Sequence, residues 1–128
     1  ISLHRLNPRA VALEADALAP PPLRMQNFDL IACNPPYITE EECQALDTSV
    51  RDWEPMLALD GGEDGCDFYR EIVNRWSRKL KKGGALAFEL GEGQADAVKA
   101  LMTEQGFSDF KISLDFGGVQ RAIIGTLL

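Results

Sequence analysis

Asn34, Pro35, Pro36 and Tyr37 follow one another directly after the apolar run Phe28-Asp29-Leu30-Ile31-Ala32-Cys33. Each proline fixes φ near about −65° and lacks a backbone donor. The residue before each proline is held towards extended backbone. Two carbonyl oxygens, one side-chain amide and one ring face are therefore set in place before any ligand arrives. Such a lip suits a planar NH2 group, whose two hydrogens the oxygens accept while the ring covers its face. A proline-rich turn is common, but a strand, then Asn-Pro-Pro-aromatic, then a capped helix is a rarer succession. We read it as a site, with Asn34, Pro35, Pro36 and Tyr37 binding the substrate and Asn34 the catalytic residue.

The elements that must position this lip are readable from periodicity. Phe28 to Cys33 is a short apolar run bounded by turn residues, the profile of a strand buried on both faces. Thr39-Glu40-Glu41-Glu42 is a capping box that opens a short helix running to about Leu46. Residues 47–64 form a long irregular loop, the kind that is functional or mobile in a compact domain. Phe68, Ile72, Val73, Trp76 and Leu80 recur at helical spacing, which predicts an amphipathic helix over Cys66 to Lys81. Basic residues crowd its last turns, and Gly83 supplies its C-terminal cap. Strands are expected at Ala10 to Glu14, Ala85 to Leu90, Phe107 to Leu114 and Val119 to Leu128, with a helix at Gln94 to Gln105. Helices between strands imply a parallel sheet with right-handed crossovers, and the short link near Gly117-Gly118 makes the last pair antiparallel.

The composition excludes several classes. The 128 residues are 45% hydrophobic and 26% charged, the profile of one globular domain. No apolar run approaches the roughly 20 residues that span a bilayer, so no membrane contact is expected. A net charge of −7 disfavours direct binding to nucleic acid. Cys33, Cys43 and Cys66 are odd in number and widely spaced, which argues against a disulfide framework and a metal site and fits the cytoplasm. Gly91-Glu92-Gly93 imitates a phosphate-binding turn, but a dinucleotide fingerprint needs glycine where Asp96 stands, and Glu89 and Glu92 repel phosphate. His4 has no partner pattern, Trp76 fits the core face of its helix, and Trp53 lies in the loop within reach of a substrate.

The lip resembles that of S-adenosyl-L-methionine-dependent methyltransferases that modify planar NH2 groups. The residues downstream narrow the likeness. Glu54-Pro55-Met56-Leu57-Ala58-Leu59, then Gly61-Gly62-Glu63-Asp64-Gly65 and Phe68-Tyr69, resemble the HemK/PrmC family of protein-glutamine N-methyltransferases. Asp115-Phe116-Gly117-Gly118-Val119-Gln120-Arg121 resembles the family's Asp, Gly, Arg pattern before the final strand. The resemblance runs from about Ala10 to Leu128.

It implies a partial class I, Rossmann-like α/β fold, whose full sheet order is 3-2-1-4-5-7-6. It also implies S-adenosyl-L-methionine as cofactor and methylation of the glutamine in the Gly-Gly-Gln motif of peptide chain release factors. Asp16 and Ala17 would then lie near the cofactor adenine, with Asn34 also in contact, and Glu54 and Glu89 are candidate supports of the site. The family's glycine-rich loop, first two strands and helical N-terminal domain have no counterpart here, so these residues are expected to be the C-terminal part of a catalytic domain, inactive alone. Strand Phe28 to Cys33 would then lose a neighbour, which invites a homodimer, a strand swap or re-pairing with Ala10 to Glu14. A nucleic-acid base methyltransferase acting on adenine N6 or guanine N2, and a truncated, non-catalytic binding module, are the alternatives.

Overall fold

The computed structural model describes residues 9–45 and 55–128. Among the described residues there are four strands and three helices: β1 (Phe28–Cys33), α1 (Glu40–Ala45), α2 (Asp67–Trp76), β2 (Leu80–Glu89), α3 (Ala95–Glu104), β3 (Phe107–Leu114) and β4 (Gln120–Leu127). Short 3-10 turns occupy Met56–Ala58 and Ser77–Lys79. The sheet order is β1-β2-β4-β3. β1 runs parallel to β2, whereas β4 is antiparallel to both β2 and β3. This is the expected α/β sheet with an antiparallel last strand, in the order of the family's strands 4-5-7-6.

The core sits between the sheet and two helices. α2 turns Tyr69, Ile72 and Val73 inward, and α3 turns Ala95, Val98 and Met102 inward. They meet Leu86 and Phe88 of β2 and Ile123 of β4, all essentially buried. The Tyr69 and Phe88 rings pack edge to face with centroids 5.2 Å apart, the geometry that aromatic quadrupoles favour. Ile31 and Cys33 pair with Leu86 and Phe88 and share this covered face. Burial raises the Cys33 thiol above its ordinary range.

Five expectations need correction. Residues 10–14 form no strand and are largely exposed, so they do not re-pair beside β1. β1 is not buried on both faces: Leu30 is 54% exposed and Ala32 is also exposed. The helix predicted to reach Lys81 stops at Trp76, and the strand predicted from Ala85 begins at Leu80. The 3-10 turn at Ser77–Lys79 ends the helix, and Leu80 is already extended with ψ of 150°. Gly83, with φ of 77°, therefore lies inside β2 rather than capping a helix. It sits where Phe28 pairs with Leu80 but Leu30 pairs with Ala85, so two steps along β1 face five along β2. The left-handed glycine absorbs the surplus. Lys81 Nζ reaches Asp29 Oδ1 across this irregularity at 2.6 Å.

The other elements follow expectation closely. Gln94 and Gln105 flank α3 as its capping positions, and Gly106, at φ of 87°, ends it. The β3–β4 pair is antiparallel as expected. No helix among the described residues is long and apolar enough to cross a membrane.

Candidate functional site

β1 delivers the lip at its C-terminal end, and α1 begins just beyond it. The capping box is formed: the Glu42 N–H donates to Thr39 Oγ1 at 3.2 Å, and the Thr39 N–H and hydroxyl donate to Glu42 Oε2 at 3.0 and 2.9 Å. Those donors, the backbone N–H foremost, hold the Glu42 carboxyl below the usual carboxylate range. With the helix start pinned on one side and β1 on the other, the lip has little freedom.

Within the lip Asn34 is exposed, Pro35 is buried, and Pro36 and Tyr37 are half-buried. The Tyr37 hydroxyl donates to Glu89 Oε1 at 3.1 Å, across 52 residues. Burial, then the Glu89 carboxylate, raises the Tyr37 phenol above its ordinary value, so the ring stays a neutral donor. Glu89 closes β2 at the same end of the sheet as the lip, and its carbonyl accepts the Tyr69 hydroxyl at 2.8 Å. Burial likewise raises the Tyr69 phenol.

The loop carrying the glycines lies against the lip. The Ile38 N–H donates to the Leu59 carbonyl at 3.0 Å, and the Gly61 N–H donates to the Ile38 carbonyl at 2.8 Å. A side chain at Gly61 would stand 2.8 Å from Tyr37 Cα, and one at Gly65 would stand 2.4 Å from the Tyr37 carbonyl oxygen. The glycine pattern is thus a requirement for close approach to the lip backbone. Asp60 Oδ1 accepts the Gly62 N–H at 2.9 Å, Asp64 Oδ1 accepts the Cys66 N–H at 3.0 Å, and Arg70 pairs with Asp64 and Asp67.

Three hollows surround the lip. One of about 390 Å³ is lined by Ala32, Cys33, Asn34, Phe88, Glu89 and Arg121, among others. A second, about 170 Å³, runs along Asn34 to Ile38 towards Leu59. A third, about 350 Å³, lies beyond Tyr37 and is lined by Ile38, Glu42, Gly91, Glu92 and Gln94. Arg121 is held by Asp115, whose Oδ2 accepts its Nε–H at 2.9 Å, and that carboxylate pushes the guanidinium pKa up.

The structure therefore brings together Asn34, Pro35, Pro36, Tyr37 and Glu89. Asp16 and Ala17 share none of these hollows with them. Asp16 is exposed, its Oδ1 accepts the Leu18 N–H at 2.8 Å, and neither residue lines any of these hollows. The Ala17 carbonyl instead accepts the Trp76 indole N–H at 3.0 Å. Glu54 and Trp53 lie outside the described residues. No hollow around the lip is lined by Asp16 or Ala17 together with Asn34, so these hollows do not by themselves make a complete S-adenosyl-L-methionine site.

Gln94, Tyr69 and Arg121 join the site without having been assigned a role from the sequence. Of these, Arg121 and Tyr69 carry a sequence signal, Arg121 through its place in the pattern after Asp115 and Tyr69 through the Phe68-Tyr69 pair that follows the glycines.

No family model matches the chain. Curated relatives do. The release factor glutamine methyltransferase of Clostridium acetobutylicum is 37% identical over 131 residues, covering 97% of this chain and 46% of that protein. That of Geobacter sulfurreducens is 46% identical over 106 residues, covering 83% of this chain and 37% of that protein. A solved methyltransferase from Pyrococcus furiosus shares the fold, with a TM-score of 0.52 at 18% identity over 79% of this chain and 41% of that one. The chain spans less than half the length of these relatives. Along nearly its whole length the chain is similar to the corresponding part of release factor glutamine methyltransferases.

Proposed function

We propose that these residues form the substrate half of a protein-glutamine N-methyltransferase. Its target is the glutamine amide in the Gly-Gly-Gln motif of peptide chain release factors, and its methyl donor is S-adenosyl-L-methionine. One observation carries the reading: the Asn34–Tyr37 lip is fixed at both ends of Tyr37, by its hydroxyl on Glu89 and its carbonyl on Gln94 at 2.9 Å. A lip so held presents oxygens in a constant geometry.

An amide nitrogen is a poor nucleophile because its lone pair is delocalised into the carbonyl. Asn34 Oδ1 and the Pro35 carbonyl accept its two hydrogens, and Tyr37 packs against the glutamine side chain. The gain is orientation, which supplies up to roughly 7–11 kcal/mol in favourable systems. The cofactor, when bound, supplies an electrophilic methyl group. Asp16 and Ala17 are proposed to lie towards it in a longer protein, and Glu54 to support the same site. The lip would suit the exocyclic amine of a base equally well, and it is the relatives' names that favour the amide.

The test is Asn34→Ala in the longer methyltransferase that carries these residues, with methylation of a release factor followed by mass spectrometry. Asn34 is exposed and makes no packing contribution that alanine would lose, so folding stays intact while most methylation disappears. Retained turnover refutes the role given to Asn34.

A further inference from the structure

Gln94 stands at the N-cap of α3 yet makes no side-chain capping bond. Asn, Asp, Ser or Thr would serve there as a cap; glutamine reaches elsewhere. Its Nε2 donates to the Tyr37 carbonyl at 2.9 Å and lies 3.4 Å from the Gly65 carbonyl. Its Oε1 accepts the Gly91 N–H at 3.0 Å, with the Tyr69 hydroxyl 3.2 Å away. Carbonyls on one side and an N–H on the other fix which end of the amide is which.

Three segments distant in sequence thus meet at one side chain: the lip, the glycine loop and the turn after β2. The space for it is kept open by glycines. A side chain at Gly65 would come within 2.6 Å of Gln94 Nε2, and one at Gly91 within 2.6 Å of Gln94 Oε1. The peptide linking Tyr37 to Ile38 is gripped on both edges, its oxygen by Gln94 and its N–H by the Leu59 carbonyl.

We propose that Gln94 is a positioning residue for the substrate amide: it ties the Tyr37 carbonyl to the Gly91 turn and so sets where the Asn34–Tyr37 lip meets the substrate. The proposal rests on the reading of that lip as the amide-binding site. Gln94 does not touch the reacting atoms. It acts through the Tyr37 peptide, which carries both the ring and the end of the lip.

The discriminating variant is Gln94→Glu. It keeps an acceptor for the Gly91 N–H but replaces the donor to the Tyr37 carbonyl with a second acceptor. Two measurements separate the outcomes. In this chain, amide hydrogen exchange at Ile38 and Gly61 should speed up by about tenfold, the scale of one lost buried hydrogen bond, while β3 and β4 amides stay unchanged. In the longer enzyme, kcat for glutamine methylation should fall by about tenfold or more with KM for the methyl donor unchanged, as for lost alignment rather than lost binding. Gln94→Met, which removes both bonds, serves if the glutamate variant does not fold. Unchanged exchange at Ile38 and Gly61, or an unchanged kcat, overturns the proposal, and so does unfolding of both variants. A wild-type enzyme that methylates no glutamine would defeat the function above, and the exchange measurement would still decide the role of Gln94.

Discussion

At the scale of the residue, the site is defined as much by missing side chains as by those present. Gly61 has no left-handed backbone to defend, yet a methyl group there would meet Tyr37 Cα at 2.8 Å and the Gly65 backbone at 2.9 Å. Neither neighbour is a flexible side-chain end that can swing away. Gly61→Ala should therefore cost about 1–3 kcal/mol of stability, the usual penalty for overpacking, read as a lower midpoint in urea unfolding. Gly93→Ala is the control: nothing lies within 4 Å of its added methyl, so its cost is confined to its positive φ of 78°. The Asn34–Tyr37 lip and Glu89 were legible in the sequence because motif and strand end coincide there. Gln94 was not, because its partners lie 57 and 29 residues away and a polar residue at a helix start reads as an ordinary cap. The glycine loop was legible as a pattern only, since its reason, contact with the Tyr37 backbone, exists only after folding.

At the scale of the element, the β3–β4 turn is built around one carboxylate. Asp115 Oδ1 accepts the Gly117 and Val119 N–H groups at 2.8 and 3.0 Å, while Oδ2 accepts Arg121 Nε–H. The Val119 N–H first, then Arg121, depresses the Asp115 carboxyl below the ordinary carboxylate value. A folded pKa below the unfolded one means the turn's stabilisation is fully present above the unfolded value of about 3.9. It is lost as pH falls through the folded value. Exchange at the Gly117 and Val119 amides, corrected for intrinsic rate, should thus be insensitive to pH from about 7 to about 5 and faster in stronger acid, given that unfolded value. Asp115→Ala should show the faster exchange at every pH, and a variant with unchanged protection at these two amides would contradict the account. Because Arg121 lines the same hollow as Asn34 and Glu89, the turn also orients a cation beside the lip. The helices and this hairpin were legible from apolar spacing and glycine placement. The start of β2 was not: lysines at positions 81 and 82 look like the charged end of a helix, whereas Leu80–Lys82 are extended and Lys81 pairs with Asp29.

At the scale of the whole molecule, sequence and exposure disagree at β1, and the disagreement is informative. Phe28–Cys33 reads as a strand buried on both faces, yet Phe28, Ile31 and Cys33 pack against the core while the middle of the other face does not. Leu30 remains 54% exposed and Ala32 is exposed beside it. β1 is also an outermost strand of the sheet, so among the described residues its outer backbone groups have no ladder partner. An apolar edge of this kind is a template for pairing, and burying one leucine is worth about 1.5–3 kcal/mol. Nothing described within the chain meets that demand, since residues 10–14 form no strand. The 128-residue chain alone should therefore self-associate through β1, with a sedimentation coefficient that rises with concentration. Leu30→Lys places a charge on the uncovered face and should return it to monomer without disturbing the α2–α3 core, because Leu30 points away from Leu86 and Phe88. A wild-type chain that sediments as a monomer at every concentration would show that the exposed strand is tolerated as it stands. A lysine variant that still associates would move the contact elsewhere, with the exposed Leu114 and Phe116 at the opposite end of the sheet as the next surface to alter.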